Sequence, residues 1–452
     1  MTGLTIKEIL EACKGEFHGD SAIITAEVSD IITDSRKAAP GCIFAAIPGE
    51  RVDGHDFASD AANAGAVCCL CSRHVEGNYI LVPSVSAVLR QIAAIYRKKF
   101  DIPIIGVTGS VGKTTAKEMA ACVLAQKFNT LKTQGNFNNE LGVPLTLFRL
   151  EKEHQAAVVE MGISDFGEMT RLAEMVCPNM ALFSTIGFSH LEFLHSREGV
   201  LKAKAEMLTD MPDDGVVFIN GDDDLLRTLD CSQKKISFGL GQNCDVRAEK
   251  IRSLGIDGMT CEIVSGDRRI PVTIPAFGVH MVTAALAGAA VGLYMGLSDS
   301  EISAGIESYQ PVGRRSNATN TGFCTLIDDC YNSNPTSLAS ALASLAMLPN
   351  RKVCILGDMK ELGKNERELH EELGRLCARL GVKLLITCGS LAMSFCIGAK
   401  GEENPPMMWH FPNKSEVLTA LPHLLQYGDA VLVKASHSMG FDEISEAVKT
   451  LR

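Results

Sequence analysis

One run, Ile104-Ile-Gly-Val-Thr-Gly-Ser-Val-Gly-Lys-Thr-Thr115, restricts this chain more than any other feature. Its apolar first half reads as a strand buried on both faces, and the residues after Gly112 read as a helix reaching about Lys127. The loop between them exposes backbone N–H groups at a helix N-terminus, where they can surround phosphate oxygens. The expected contacts are Gly109, Ser110, Val111, Gly112, Lys113, Thr114 and Thr115. Lys113 brings positive charge to the terminal phosphates of a nucleotide, and the Thr114 hydroxyl suits Mg²⁺. The common phosphate loop has a further glycine five residues before Gly112, where this chain has Val107. The loop is therefore a T-G-x-x-G-K-T variant.

A chain of 452 residues exceeds a single core, and three sections separate along it. Residues 1–99 mix short helices and strands and close on the basic stretch Tyr96-Arg-Lys-Lys-Phe100. Residues 100–310 alternate strand candidates (Ile102–Val107, Ala156–Glu160, Met180–Ile186, Val216–Ile219) with helices. That is the pattern of a mostly parallel sheet covered on both faces. Ile236–Ile274 reads as a small antiparallel addition and Val279–Leu297 as a buried helix. Residues 311–452 repeat the alternation with strands at Cys324–Asp328, Lys352–Leu356, Lys383–Thr387 and Ala430–Lys434, a doubly wound pattern. Glu402-Glu-Asn-Pro-Pro-Met-Met408 reads as a loop. The fold class is α/β throughout.

A net charge of -11 opposes general nucleic-acid binding, which needs a basic surface. No run approaches the ~18 apolar residues of a membrane span, and the N-terminus lacks the order of a signal peptide. The sixteen cysteines are scattered through apolar runs, and Cys69-Leu-Cys71 has no partner pair at zinc-site spacing. They read as reduced, buried thiols of a cytoplasmic protein whose partners are small molecules.

Several polar clusters follow strands. In Gly135-Asn-Phe-Asn-Asn-Glu-Leu-Gly-Val-Pro144, Asn139 has two readings: a turn satisfied by its own side chain, or a group orienting phosphate or a substrate carboxylate. Glu160 ends a strand at the edge where such sheets hold ligands, as a solvated carboxylate or a Mg²⁺ ligand. His190 lies beyond the next strand, as a structural histidine or a ligand. Lys202 and Lys204 point to different sides of one helix; a neutral amine facing the metal region could take up CO₂ as a carbamate, though nothing local singles out Lys204. Asp328-Asp-Cys-Tyr-Asn-Ser-Asn-Pro335, Gly357-Asp-Met-Lys-Glu-Leu-Gly363 and Lys434-Ala-Ser-His437 end three strands of the last section in the same manner.

Together with Thr33-Asp-Ser-Arg36, Gly41–Gly49 and Asp53-Gly-His-Asp-Phe57, these motifs resemble the Mur ligases of bacterial cell-wall synthesis over the whole chain. The resemblance implies a UDP-substrate domain, a central ATPase domain and a C-terminal Rossmann-like domain. It implies ATP-dependent ligation of D-alanyl-D-alanine to UDP-N-acetylmuramoyl-tripeptide by a monomer, with Mg²⁺. On it, Lys113, Asn139, Glu160, His190 and Lys204 are catalytic, with Lys204 carbamylated. Thr114, Glu160, His190 and Lys204 are linked to metal. Arg314, Asp329 and Asn334 reach the nucleotide, and Ser35 and Arg36 lie near the uridine end. The chain departs from the family at Met281 and Ala284, where two asparagines are usual, and at His437, where arginine is usual. The competing readings are a ligase taking a diamino acid, folylpolyglutamate synthetase, and a nucleotide-binding homologue without catalysis.

Overall fold

The computed structural model describes residues 1–49 and 52–452, whose strands form three sheets. All five residues of Ile104–Thr108 are buried, as a strand covered on both faces requires. This strand pairs in parallel with Ala156–Glu160 and with Met180–Phe183. Outward from Met180–Phe183 the central sheet adds Val216–Asn220, Lys234–Gly239, Val246–Ser253, Met259–Ser265 and Arg268–Ile274; Thr130–Lys132 forms its other edge. The last two pairings change character. Val246–Ser253, Met259–Ser265 and Arg268–Ile274 are antiparallel, and residues 268–274 alternate between buried and exposed because one face is open to water.

Two helices clamp the phosphate-loop helix, Lys113–Leu124, from behind. The helix Val279–Tyr294 is rich in alanine and glycine, and a Cβ at Gly288 would stand 3.0 Å from the Met119 backbone. Gly305, on the helix Asp299–Glu307, comes closer still: its Cβ would stand 2.5 Å from Val123 Cα. Small residues let the backbones approach, so the loop is held on a rigid base.

The third sheet runs Asn317–Asn320, Thr325–Asp328, Ala430–Lys434, Lys352–Gly357, Leu384–Cys388, Met407–Phe411. All its pairs are parallel except the first. Met407 and Met408, read from sequence as loop, begin the edge strand Met407–Phe411. A half-exposed edge strand lacks the continuous apolar run that marked its neighbours.

The first sheet is small: Glu16–His18, Tyr79–Leu81, Cys68–Cys71, Ile43–Ala45, Ile31–Ile32. Cys68 and Cys71 stand at CxxC spacing, but on a strand they face opposite sides and join different apolar clusters. All sixteen cysteines are free, and Cys177 alone is exposed. The basic stretch expected to mark a boundary is divided: Lys98 and Lys99 are exposed, whereas Tyr96 and Arg97 are buried. Tyr96 and Arg97 end the helix Val85–Arg97; Tyr96 donates to the Leu150 carbonyl at 2.6 Å, and Arg97 donates to the carbonyls of Phe100, Val176 and Cys177. Among the described residues no helix is long and apolar enough to cross a membrane.

Candidate active site

The carboxyl ends of the central and third sheets face each other across a cavity of about 670 Å³. The phosphate loop forms one wall. Gly109 (φ 148°) and Gly112 (φ 81°) both take backbone conformations that favour glycine, and Gly112 caps the helix that begins at Lys113. A Cβ at Gly109 would stand 2.0 Å from Ser184 Oγ. Ser184 Oγ in turn donates to the Val111 carbonyl at 2.6 Å, and the Ser110 N–H donates to Thr185 O at 2.7 Å. The loop is thus shaped by the strand end beside it. Lys113 Nζ donates to Gly109 O at 2.8 Å, bridging the loop from helix to entry.

Glu160 lies at the centre of the polar floor and is 1% exposed. Its Oε1 accepts from Thr114 Oγ1 at 3.1 Å and from Asn138 Nδ2 at 2.8 Å. Its Oε2 is buried with no hydrogen-bond partner and stands 4.0 Å from Lys117 Nζ. An unpartnered buried carboxylate oxygen is costly unless a cation or donor reaches it. Beside a hydroxyl and a phosphate loop, it fits a Mg²⁺ that keeps waters and phosphate oxygens in its shell. Among the described residues no three His, Cys, Asp or Glu side chains converge as a metal cluster. The fit rests on Thr114 and Glu160 alone.

Sequence reasoning singled out Asn139, but its neighbour touches Glu160. Asn139 lines the cavity while its Oδ1 accepts from the N–H groups of Leu141 (3.2 Å) and Gly142 (2.9 Å), the turn reading of that residue. Two adjacent asparagines in a loop cannot be told apart without the path of the backbone. Lys204 is 1% exposed, on the inner face of the helix Arg197–Ala205, whereas Lys202 is exposed. Burial, and then the Lys113 charge, push the Lys204 amine well below its ordinary pKa; Glu168 opposes them. His190 lines the cavity with a left-handed backbone (φ 51°), and its Nδ1 lies 2.7 Å from Glu361 Oε2 of the third section. Burial lowers its pKa, with Lys204 and Lys113 acting in the same direction and Glu361 against.

From the third section come Asp329, Asn334 and Arg315. Arg314, expected to reach the nucleotide, does not line the cavity. It pairs with Asp328 (3.1 Å) and Glu446 (2.8 Å), while Arg315 turns inward and lies over the Tyr331 ring at 3.8 Å. Adjacent residues leave the chain on different sides, and only the backbone settles which one faces the ligand. Asp329 Oδ2 pairs with Lys434 at 2.6 Å, and Asn334 caps the helix Pro335–Ala346 through Ser337 N. At the far end His280, Thr283, Ala284 and Ala287 line the wall, and Met281 is buried in the core behind them. Ser35 and Arg36 do not line this cavity; they lie in a short turn on the first section, where the Arg36 guanidinium makes two hydrogen bonds to Asp34 and its backbone N–H a third.

Known proteins resemble this chain in sequence and fold. Models of the Mur ligase family catalytic domain, the Mur ligase middle domain and the Mur ligase glutamate ligase domain match residues 27–108, 107–292 and 314–437. The UDP-N-acetylmuramoyl-tripeptide--D-alanyl-D-alanine ligase of Bacillus subtilis is 34% identical over 97% of this chain and 97% of its own. A crystal structure of MurF from Acinetobacter baumannii superposes with a TM-score of 0.89 at 31% identity, covering 98% of both chains. MurF ligase from Thermotoga maritima, solved in complex with ADP, gives 0.82 at 26% identity over 93% of this chain and 97% of that one. With three family models in order along it and a relative matched from end to end, the chain belongs to the Mur ligase family.

Proposed function

We propose that this chain joins D-alanyl-D-alanine to the terminal carboxylate of UDP-N-acetylmuramoyl-tripeptide at the expense of ATP, giving UDP-N-acetylmuramoyl-pentapeptide for peptidoglycan synthesis. Near-full-length relatives that carry this activity in their names support the choice of substrates. The observation that carries the chemistry is Glu160: a buried carboxylate with one oxygen that lacks a hydrogen-bond partner, fixed beside Thr114 and the phosphate loop.

The phosphate loop N–H groups and Lys113 hold the terminal phosphates in place. Thr114 and Glu160 would hold Mg²⁺, which when bound supplies charge neutralisation to the phosphate oxygens. The substrate carboxylate attacks the γ-phosphorus, ADP leaves as the bond to its β-phosphate oxygen breaks, and an acyl phosphate forms. The dipeptide amine then attacks that carbonyl, gives up a proton to solvent, and phosphate leaves. Little of this is covalent chemistry by the protein; positioning and charge stabilisation supply the rate. Lys204 is buried and does not itself line the cavity; its amine, driven toward the neutral form by burial and by the Lys113 charge, is the one suited to carbamylation. Arg315 takes the role assigned from sequence to Arg314, with Asp329 and Asn334 beside it on the nucleotide side. Ser35 and Arg36 remain the candidates for the uridine end. The working division is 1–99, 100–310 and 311–452, acting as a cytoplasmic monomer.

The test is phosphate release with ATP and UDP-tripeptide, with and without D-alanyl-D-alanine. Release that requires the dipeptide, with pentapeptide formed, supports the reading; incorporation of glutamate or a diamino acid instead overturns it. Lys113→Ala is expected to lower kcat by at least ~100-fold, the scale of removing a transition-state donor. Near-normal turnover in that variant would reject the assignment of the loop.

A further inference from the structure

The motif Gly357-Asp-Met-Lys-Glu-Leu-Gly363 has no part in the chemistry above, yet it is held more firmly than an exposed loop needs. Asp358 is 2% exposed, and its Oδ1 accepts from the N–H groups of Leu391 (3.0 Å) and Ala392 (2.8 Å). The Met359 N–H donates to Nε2 of the fully buried His370 at 3.0 Å. Ser436 fixes the loop from the neighbouring strand end: its N–H donates to Asp358 O, and its Oγ accepts from the Lys360 N–H at 2.9 Å. What this scaffold presents is Glu361, which sits in the left-handed region at φ 62°. Its carboxylate lies 2.7 Å from Nδ1 of His190, itself left-handed. Two residues that ordinarily avoid this conformation adopt it where they meet across the two sections.

We propose that Glu361 is a positioning residue: its carboxylate accepts from Nδ1–H of His190, fixes the ring and leaves the Nε2 lone pair to the phosphate site. This rests on the ligase reading for what His190 serves, and on geometry for how it is held. A carboxylate on one imidazole nitrogen sets the tautomer and so decides what the other nitrogen can do. The contact is close but not aligned as a full hydrogen bond, a geometry that commonly tightens when ligands arrive. Glu361 comes from the third section and His190 from the central one, so His190 is oriented only when the two are docked. A second contact registers the same docking, from the Phe188 N–H to Thr336 Oγ1 at 3.3 Å. The loop therefore reports closure of the third section to the phosphate site.

The experiment compares the full-length enzyme with Glu361→Ala and Glu361→Gln. Glu361→Ala is expected to lower kcat by about 10- to 100-fold, the usual scale for a group that orients a functional histidine. KM for ATP should stay within about threefold, because Glu361 does not line the cavity. Glu361→Gln keeps an acceptor oxygen at the same reach and should recover part of the loss. A merely structural role would lower the melting temperature without this split or this rescue, and that result overturns the proposal. Imidazole ¹⁵N spectra supply a readout free of turnover. The His190 signals, assigned with His190→Gln, should show the Nδ1–H form in the parent and lose it in Glu361→Ala. An unchanged tautomer overturns the proposal whether or not the enzyme ligates, whereas absent ligation in the parent overturns the ligase reading alone.

Discussion

Lys204 and the asparagine pair show how single residues divide the work of the site. The Lys204 amine is buried beside the Lys113 charge, with Glu168 the one carboxylate favouring its charged form. If it acts as a carbamate, Lys204→Ala should be inactive and regain turnover when small carboxylates are added; full activity without them rejects that role. Asn138 and Asn139 should separate in the opposite sense. Asn138→Ala removes the amide that holds Glu160 Oε1 and is expected to lower kcat by ~10-fold or more while leaving stability nearly unchanged. Asn139→Ala removes the acceptor that closes a turn and should lower the unfolding free energy by ~1 kcal/mol, read from urea melts. Equal effects of the two would contradict the geometry. Glu160 and His190 were visible in the sequence because one ends an apolar strand and the other lies beyond the next. Asn138 and Arg315 were not, since each has a like neighbour and only the backbone direction chooses between them.

Among the elements, the helix Glu366–Arg379 carries a titrating support for the third section. His370 is fully buried there, and its Nε2 accepts from Met359 N while its Nδ1 lies 2.5 Å from Glu366 O. Burial lowers its pKa from the ordinary histidine value of about 6.5, with the Glu366 carbonyl acting against it. The unfolded chain therefore binds this proton at higher pH than the folded one. The resulting stability is present above pH 6.5 and is lost as pH falls from there toward the folded pKa, with a slope of at most ~1.4 kcal/mol per pH unit. Urea melts between pH 7.5 and 5 should show this decline, and His370→Gln should flatten it. An equal decline in the variant would assign it to other groups. The elements themselves were largely legible: Ala156–Glu160 and Ala430–Lys434 match their expected bounds, since strands buried on both faces are continuous apolar runs. The edge strands Thr130–Lys132 and Met407–Phe411 were missed because their faces are half open.

At the scale of the whole molecule, the first section is fastened to the central one by a buried cation. Arg97 gives three hydrogen bonds to the carbonyls of Phe100, Val176 and Cys177, the last two at the end of the helix Glu168–Val176. Arg97→Met fills much of the volume but leaves these acceptors unpaired, and should lower stability by ~2–4 kcal/mol. Proteolysis between the first and central sections should accelerate in that variant; unchanged stability would show that apolar packing alone joins them. From the sequence, this arginine belonged to a basic stretch of the kind that usually faces water. The sequence by itself determined the α/β class, the phosphate loop and the family, because these depend on local patterns: an apolar run, a glycine spacing, a polar cluster at a strand end. Tertiary structure alone decided which asparagine reaches Glu160, which arginine enters the cavity, that Arg97 is buried and that Glu361 meets His190. Those facts depend on the direction in which a backbone presents each side chain and on contacts between distant segments, such as the 171 positions separating His190 from Glu361 (361 − 190), which no local pattern encodes.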